Sequence, residues 1–141
     1  MFSKSNLLAT LAGFFTLYLL GWAFYGVIAD DFFMQHTILQ EVHKKDSIDG
    51  IWQIAIGSII LSFCMATLYN KWSRGHHSVK EGFSFGALIG IMIGLGLGII
   101  MYATNNFMDF TGQLIDGIWC VFYYGVTGAV ISLVYKQTSK E

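Results

Sequence analysis

Gly82, Gly86, Gly90, Gly94 and Gly98 recur at strict four-residue spacing inside the otherwise apolar stretch GFSFGALIGIMIGLGLG. Repeated GxxxG in an apolar segment of about twenty residues marks a membrane helix whose backbone a neighbour approaches closely. Glycine weakens a helix relative to alanine, but an unsatisfied backbone in a bilayer costs more, so the helix persists. A four-residue step advances about 400°, so the ridge drifts by roughly 40° per glycine around a straight helix. Unless the helices cross right-handed, two neighbours share it: Gly82, Gly86 and Gly90 meet one, Gly94 and Gly98 another. The alternative is a thin wall beside a lipid or small-molecule groove.

Composition places the remainder of the chain in the same solvent. Of 141 residues, 55% are hydrophobic and 12% charged, too apolar a chain for a water-soluble domain of this length to hide. The charges cluster between four apolar runs, about residues 7–28, 51–68, 83–102 and 114–134, each long enough to cross a hydrocarbon core of about 30 Å. The fold class expected is all-α: one polytopic domain, residues 1–141, forming a four-helix transmembrane bundle. The small residues at Val27-Ile28-Ala29 resemble a cleavage site, but the run before them is too long and too aromatic, so it is read as a retained helix. There is no proline to force a kink, which disfavours a broken-helix transporter, and a net charge of −1 offers no basis for binding nucleic acid.

Lys4, Lys71, Arg74, Lys80, Lys136 and Lys140 fall on one side of the membrane and only Lys44 and Lys45 on the other. The positive-inside rule then makes both termini cytoplasmic. Acid collects opposite, at Asp30, Asp31, Glu41, Asp46, Asp49 and Asp109.

The chain also repeats itself. Ile48-Asp49-Gly50-Ile51-Trp52 and Ile115-Asp116-Gly117-Ile118-Trp119 are identical pentapeptides, each at the outer start of an even-numbered span. Gly13-Phe14 echoes Gly82-Phe83, and Asp30-Asp31-Phe32 echoes Asn105-Asn106-Phe107. Duplication of a helical hairpin, about residues 5–72 and 80–137, explains all three, with a pseudo-twofold axis along the membrane normal.

Several faces follow from helical spacing. Phe15, Tyr18, Trp22 and Tyr25 form an aromatic stripe, read as bundle core or interface anchoring, or else a ligand box. Residues 30–50 have the rough period of a short amphipathic helix on the outer surface. Ser58, Ser62 and Ala66 make one small ridge, and Gly125, Gly128 and Ser132 another that suits the glycine helix. The basic loop 70–81 sets topology and meets anionic headgroups.

The candidate site is an outer-half polar set: Asp49, Gln53, Asn105, Asp116, Trp119 and Tyr123, with Trp22, Tyr25 and Asn106. Asp49 and Asp116 are open to two readings. Close together they form a proton or cation site, because adjacent carboxylates raise one pKa. Apart, each is a helix N-cap favoured by the helix dipole. His36, Gln40 and His43 share a face, but neither HExxH nor tight cysteine spacing accompanies them, so no metal and no cofactor is assigned. Cys64 and Cys120 lie at different depths and read as small core residues rather than a disulfide. There is no GxSxG, Walker loop or dinucleotide fingerprint, so no enzyme activity is expected.

The glycine-rich helix, then Tyr102-Ala103-Thr104-Asn105-Asn106, then Asp116-Gly117-Ile118-Trp119, with Gly21-Trp22 through Phe33, resembles a family of small four-span bacterial membrane proteins of unknown function. The resemblance implies four helices and the bacterial inner membrane, and brings no activity. Two function classes remain. One is a non-enzymatic module that binds a lipid or small ligand, or moves a small solute, through the outer-half pocket. The other is an accessory subunit, in a homodimer or larger membrane complex, assembled through glycine faces.

Overall fold

The computed structural model describes residues 2–38 and 48–138, without the side chains of Ile48 and Asp49. Four helical stretches are long and apolar enough to cross a membrane: Lys4–Ile28, Gly50–Ser73, Val79–Thr104 and Phe110–Thr138. They pack as a bundle, and the chain is a small polytopic membrane protein.

Helix α1 (Lys4–Ala23) opens on Ser3, whose hydroxyl accepts from the Asn6 N–H at 3.1 Å. It runs on through a wider π turn, Phe24–Ile28, closed by the Ala29 N–H donating five residues back to the Phe24 carbonyl at 2.8 Å. A short α2 (Asp30–His36) follows, with α3 (Ile48–Ser73) beyond. The rest of the amphipathic segment expected over residues 30–50, with Gln40, Glu41, His43, Lys44, Lys45 and Asp46, lies outside the described residues. Arg74 and Gly75 turn the chain with φ of 47° and 88°. Ser78 then caps α4 (Val79–Gly90), its hydroxyl accepting from the Glu81 N–H at 3.1 Å and donating to Glu81 Oε2 at 3.2 Å. This span continues through a second π segment, Ile91–Leu97, into α5 (Gly98–Thr104). Helix α6 (Phe110–Thr138) completes the bundle. The first and last described residues lie at one end, called terminal below; α2 and the α5–α6 connection lie at the other, the distal end.

α6 is the hub: it packs along α4 and its π segment on one side and along α1 on the other, whereas α3 packs mainly on α1 and touches α6 and α4 far less. The glycine ridge shows why the α4–α6 seam is so close. A methyl added at Gly82 would meet the Gly128 carbonyl and Ser132, at Gly86 the Tyr124 carbonyl, and at Gly90 the Cys120 carbonyl. At Gly94 it would strike Cys120 and Gly117, and at Gly98 the Gln113 amide. All five glycines therefore face α6, which corrects the expectation of two neighbours. The π segment supplies the physical reason. A four-residue step overshoots a full α turn but falls short of the wider π turn, so the drift built up over Gly82–Gly90 reverses over Ile91–Leu97.

The opposite seam uses small residues as well. Asn6, Ala9, Gly13 and Leu17 form the buried face of α1, against Ser58, Ser62, Met65, Ala66 and Tyr69 on α3. The Ser62 hydroxyl donates to the Thr10 carbonyl at 2.6 Å. Here the bundle-core alternative for the aromatic stripe falls at Phe15 and Trp22, leaving interface anchoring, and the reading of Cys64 as a core residue is corrected. Phe15 and Trp22 face outward, 51% and 66% exposed, because the small-residue face of α1 permits the closer packing and takes the interior. Cys64 is exposed for the same reason, while Cys120 is buried. At the terminal end, Asn6 Nδ2 donates to Tyr135 Oη at 2.9 Å and Thr67 Oγ1 at 3.2 Å, and Tyr135 Oη donates to the Ala66 carbonyl at 3.1 Å. His77 stacks on Tyr135, and burial holds its imidazole below the ordinary histidine range.

Gly86→Ala is expected to destabilise the bundle by about 1–3 kcal/mol through overpacking against Tyr124. Gly57→Ala, where a methyl meets nothing within 4 Å, is expected to be neutral or stabilising by up to about 1 kcal/mol. Thermal unfolding of both variants in detergent checks the pair.

Candidate functional site

The distal half of the α1–α6 seam holds the one acidic side chain within a membrane-length span at that end among the described residues, the half-buried Asp116. It is the seventh residue of α6, roughly 9 Å along the axis from the helix start. The cap at that start is Asp109. Asp109 Oδ1 accepts from the Gly112 N–H at 2.8 Å, and its carbonyl accepts from the Gln113 N–H at 3.0 Å. This corrects the reading of Asp116 as an N-cap: the helix begins at Phe110, a turn earlier than residue 114, so Asp116 sits where the backbone N–H groups are already bonded within the helix.

Asp116 instead takes a partner from α1. Tyr25 Oη donates to Asp116 Oδ1 at 2.6 Å, and the other carboxylate oxygen makes no hydrogen bond to a described residue. One helical turn on, Phe24 lies flat on Trp119, with centroids 3.8 Å apart and planes at 11°. Consecutive residues of an α-helix point about 100° apart. The π turn starts at Phe24, where both Phe24 and Tyr25 must reach α6. A further turn along, Tyr123 Oη donates to the Leu17 carbonyl at 2.7 Å. Gly21 leaves room for that phenol, since a methyl there would lie 3.2 Å from Tyr123 Oη. The buried Phe33 of α2 closes the set from above, 6.0 Å from Phe24 and 5.5 Å from Tyr25 between ring centroids.

The result is one carboxylate at the edge of a cluster of five aromatic side chains, Phe24, Tyr25, Phe33, Trp119 and Tyr123. Trp119 Nε1 is buried with no hydrogen-bond partner among the described residues. No described Lys or Arg stands at this end: Lys4, Lys71, Arg74, Lys80 and Lys136 all lie at the terminal end.

Four of the nine residues expected at the site come together here: Tyr25, Asp116, Trp119 and Tyr123. Trp22 faces outward. Gln53 is exposed on α3 and Asn106 is exposed in the connection. Asn105 folds back on its own helix end, donating to the Met101 carbonyl at 3.3 Å and Thr104 Oγ1 at 3.0 Å. Asp49 falls in the first turn of α3, with its side chain outside the described residues. Phe24 and Gly21 were missed, because α-helical spacing counted from Phe15 places Phe24 off the stripe. Asp109 was legible: an aspartate just before an apolar helical run is a cap signal.

A clasp holds the site's roof. Residues 37 and 108 pair as a lone antiparallel bridge, the Ile38 N–H donates to the Phe107 carbonyl, and the Asp109 N–H donates to the His36 carbonyl. His36 Nδ1 and Asp109 Oδ2 are 2.7 Å apart. Among the described residues, no group of three His, Cys, Asp or Glu side chains is arranged to hold a metal ion, and Gln40 and His43 lie outside them.

The Gly112 N–H, and then the His36 side chain, hold the Asp109 carboxyl below the usual carboxylate range. A depressed folded value means the clasp's contribution is complete above the ordinary aspartate pKa and is lost as pH falls through the lower folded one. Hydrogen exchange at the Gly112, Asp109 and Ile38 amides is therefore expected to stay slow at neutral pH and to accelerate in strong acid, relative to the intrinsic rate. In Asp109→Ala it should be fast throughout, which exchange mass spectrometry checks. No family model matches the chain, and neither does any curated protein or solved structure.

Proposed function

We propose that this chain is a non-enzymatic membrane module that binds a small cationic ligand, or passes a small solute of that charge, at the distal site of Tyr25, Asp116, Trp119 and Tyr123. The observation that carries the reading is Asp116, a carboxylate inside a membrane-length helix with one oxygen on Tyr25 and no described cation to neutralise it. Ionisable groups within spans are expensive to keep and mark ligand or ion pathways by default. The rings around it add attraction for a cation through their faces. The unpartnered Trp119 N–H is a buried donor that a shift of the ring would turn to an acceptor on the same ligand, as in an amino alcohol or the headgroup of an amine-bearing lipid.

On this reading the distal end faces outward and both termini are cytoplasmic, because every described Lys and Arg gathers at the terminal end. The bacterial inner membrane is the compartment that the family resemblance implies. The hairpin duplication gains support from one coincidence: aligning Gly13-Phe14 with Gly82-Phe83 lays the π turn Phe24–Ile28 on residues 93–97, the end of the second π segment. The accessory-subunit reading loses its surface, since the five glycines face α6 within the chain. An assembly would have to use other faces, such as the open one at Gly57.

Choline and ethanolamine titrations of the purified protein in nanodiscs test the proposal. Saturable binding is expected, weakened about tenfold or more in Asp116→Asn, the scale of a lost charge-assisted contact. Gln53→Ala should bind as the native protein does. Absence of saturable binding to the native protein, or full binding by Asp116→Asn, would overturn it.

A further inference from the structure

At the terminal end a groove of about 460 Å³ opens between α3 and α4, far from the distal site. Its walls are Leu68 and Trp72 of α3 and Phe85, Leu88 and Ile89 of α4, with Lys71 and Arg74 at the rim. The volume falls in the range of small-ligand pockets. The groove exists because α3 and α4, although consecutive spans, touch little; each packs chiefly on another helix. The tight turn through Arg74 and Gly75 joins them at the end without drawing their flanks together, and Arg74 of that turn lines the groove along with Lys71.

The chemistry of this groove is divided by depth. Leu68 and Leu88 expose about half of their surface on its apolar walls, and Phe85 forms a buried floor. Trp72 is the penultimate residue of α3, a position that suits an aromatic ring at a membrane–water boundary, and its ring lies 5.9 Å from Phe85. Above it stand two cations, neither in an ion pair with a described residue. Glu81 is the one acid at this end among the described residues, and it is engaged by Ser78 at 3.2 Å. A double positive charge over an apolar slot between two spans matches a molecule with an anionic head and a hydrocarbon tail, the chemistry by which basic interhelical pockets take phospholipids.

We infer that the α3–α4 groove is a binding site for one anionic phospholipid, its phosphate on Lys71 and Arg74 and an acyl chain against Leu68, Phe85 and Leu88. The lipid fills the gap that the helix packing leaves, and so ties α3 to the α4–α6 pair. This inference stands independently of the distal site.

Native mass spectrometry of the full-length protein, delipidated and titrated with phosphatidylglycerol or phosphatidylcholine, tests it. One phosphatidylglycerol per chain is expected to persist at activation energies that strip phosphatidylcholine, with a thermal shift on adding phosphatidylglycerol alone. The Lys71→Gln/Arg74→Gln double variant should lose that preference by about tenfold, the scale of charge-assisted contacts, and Lys136→Gln should keep it. Leu88→Trp, which fills the slot and keeps both cations, should lose the lipid as well. Equal retention of the two lipids by the native protein would overturn the inference. So would an unchanged preference in the folded double variant, or displacement of the lipid by millimolar inorganic phosphate, which would make the groove a free-anion site. Loss of the preference on dimerisation, with a second copy in the groove, would contradict it too.

Discussion

The bundle depends on backbone meeting backbone between α4 and α6. At Gly82, Gly86 and Gly90 the atoms that a side chain would strike are main-chain carbonyls, which cannot move aside as a flexible side chain can. In a bilayer no hydrophobic force favours one helix contact over another, so dispersion at short range decides which helices pair. This seam offers the longest close approach in the chain, and it makes α6 the element from which the others take their position. α1 then occupies the other side of α6, and α3 follows α1.

The π segments are how the chain keeps that seam in register. A regular α-helix would carry Gly94 and Gly98 away from α6 after three turns, and the wider turn over Ile91–Leu97 brings them back. The same device at Phe24–Ile28 delivers Phe24 and Tyr25 together to Trp119 and Asp116. In both places a local departure from ideal geometry is compensated by contacts to one helix. The site and the seam are thus two ends of one packing solution, with α6 common to both.

Much of this was legible in the chain, and what was not has a common cause. Apolar run length gave away the four spans, and the Ser58-Ser62-Ala66 ridge proved to be a buried face. The partners of Gly94 and Gly98 were not legible, because a π segment has no strong signal of its own in residue spacing. Phe24 was missed for that reason. Trp22 was misplaced for another: helical spacing says which residues share a face, not whether the face turns toward protein or lipid. In water an aromatic stripe points inward, whereas in lipid Phe15 and Trp22 lose nothing by facing out, and the small residues Ala9 and Gly13 claim the interior. For Asp116 the N-cap alternative fell once Asp109 proved to start the helix.

The most direct test of the single-partner seam is at its distal extreme, where a regular helix would have turned away. In a background with Cys64→Ala and Cys120→Ala, the pair Gly98→Cys and Gln113→Cys should form an intramolecular disulfide on mild oxidation in native membranes, since the Gly98 backbone lies against the Gln113 side chain. Failure of that pair to cross-link in the folded protein, with Gly98→Cys linking instead to a cysteine on α1 or α3, would contradict a ridge facing α6 along its whole length.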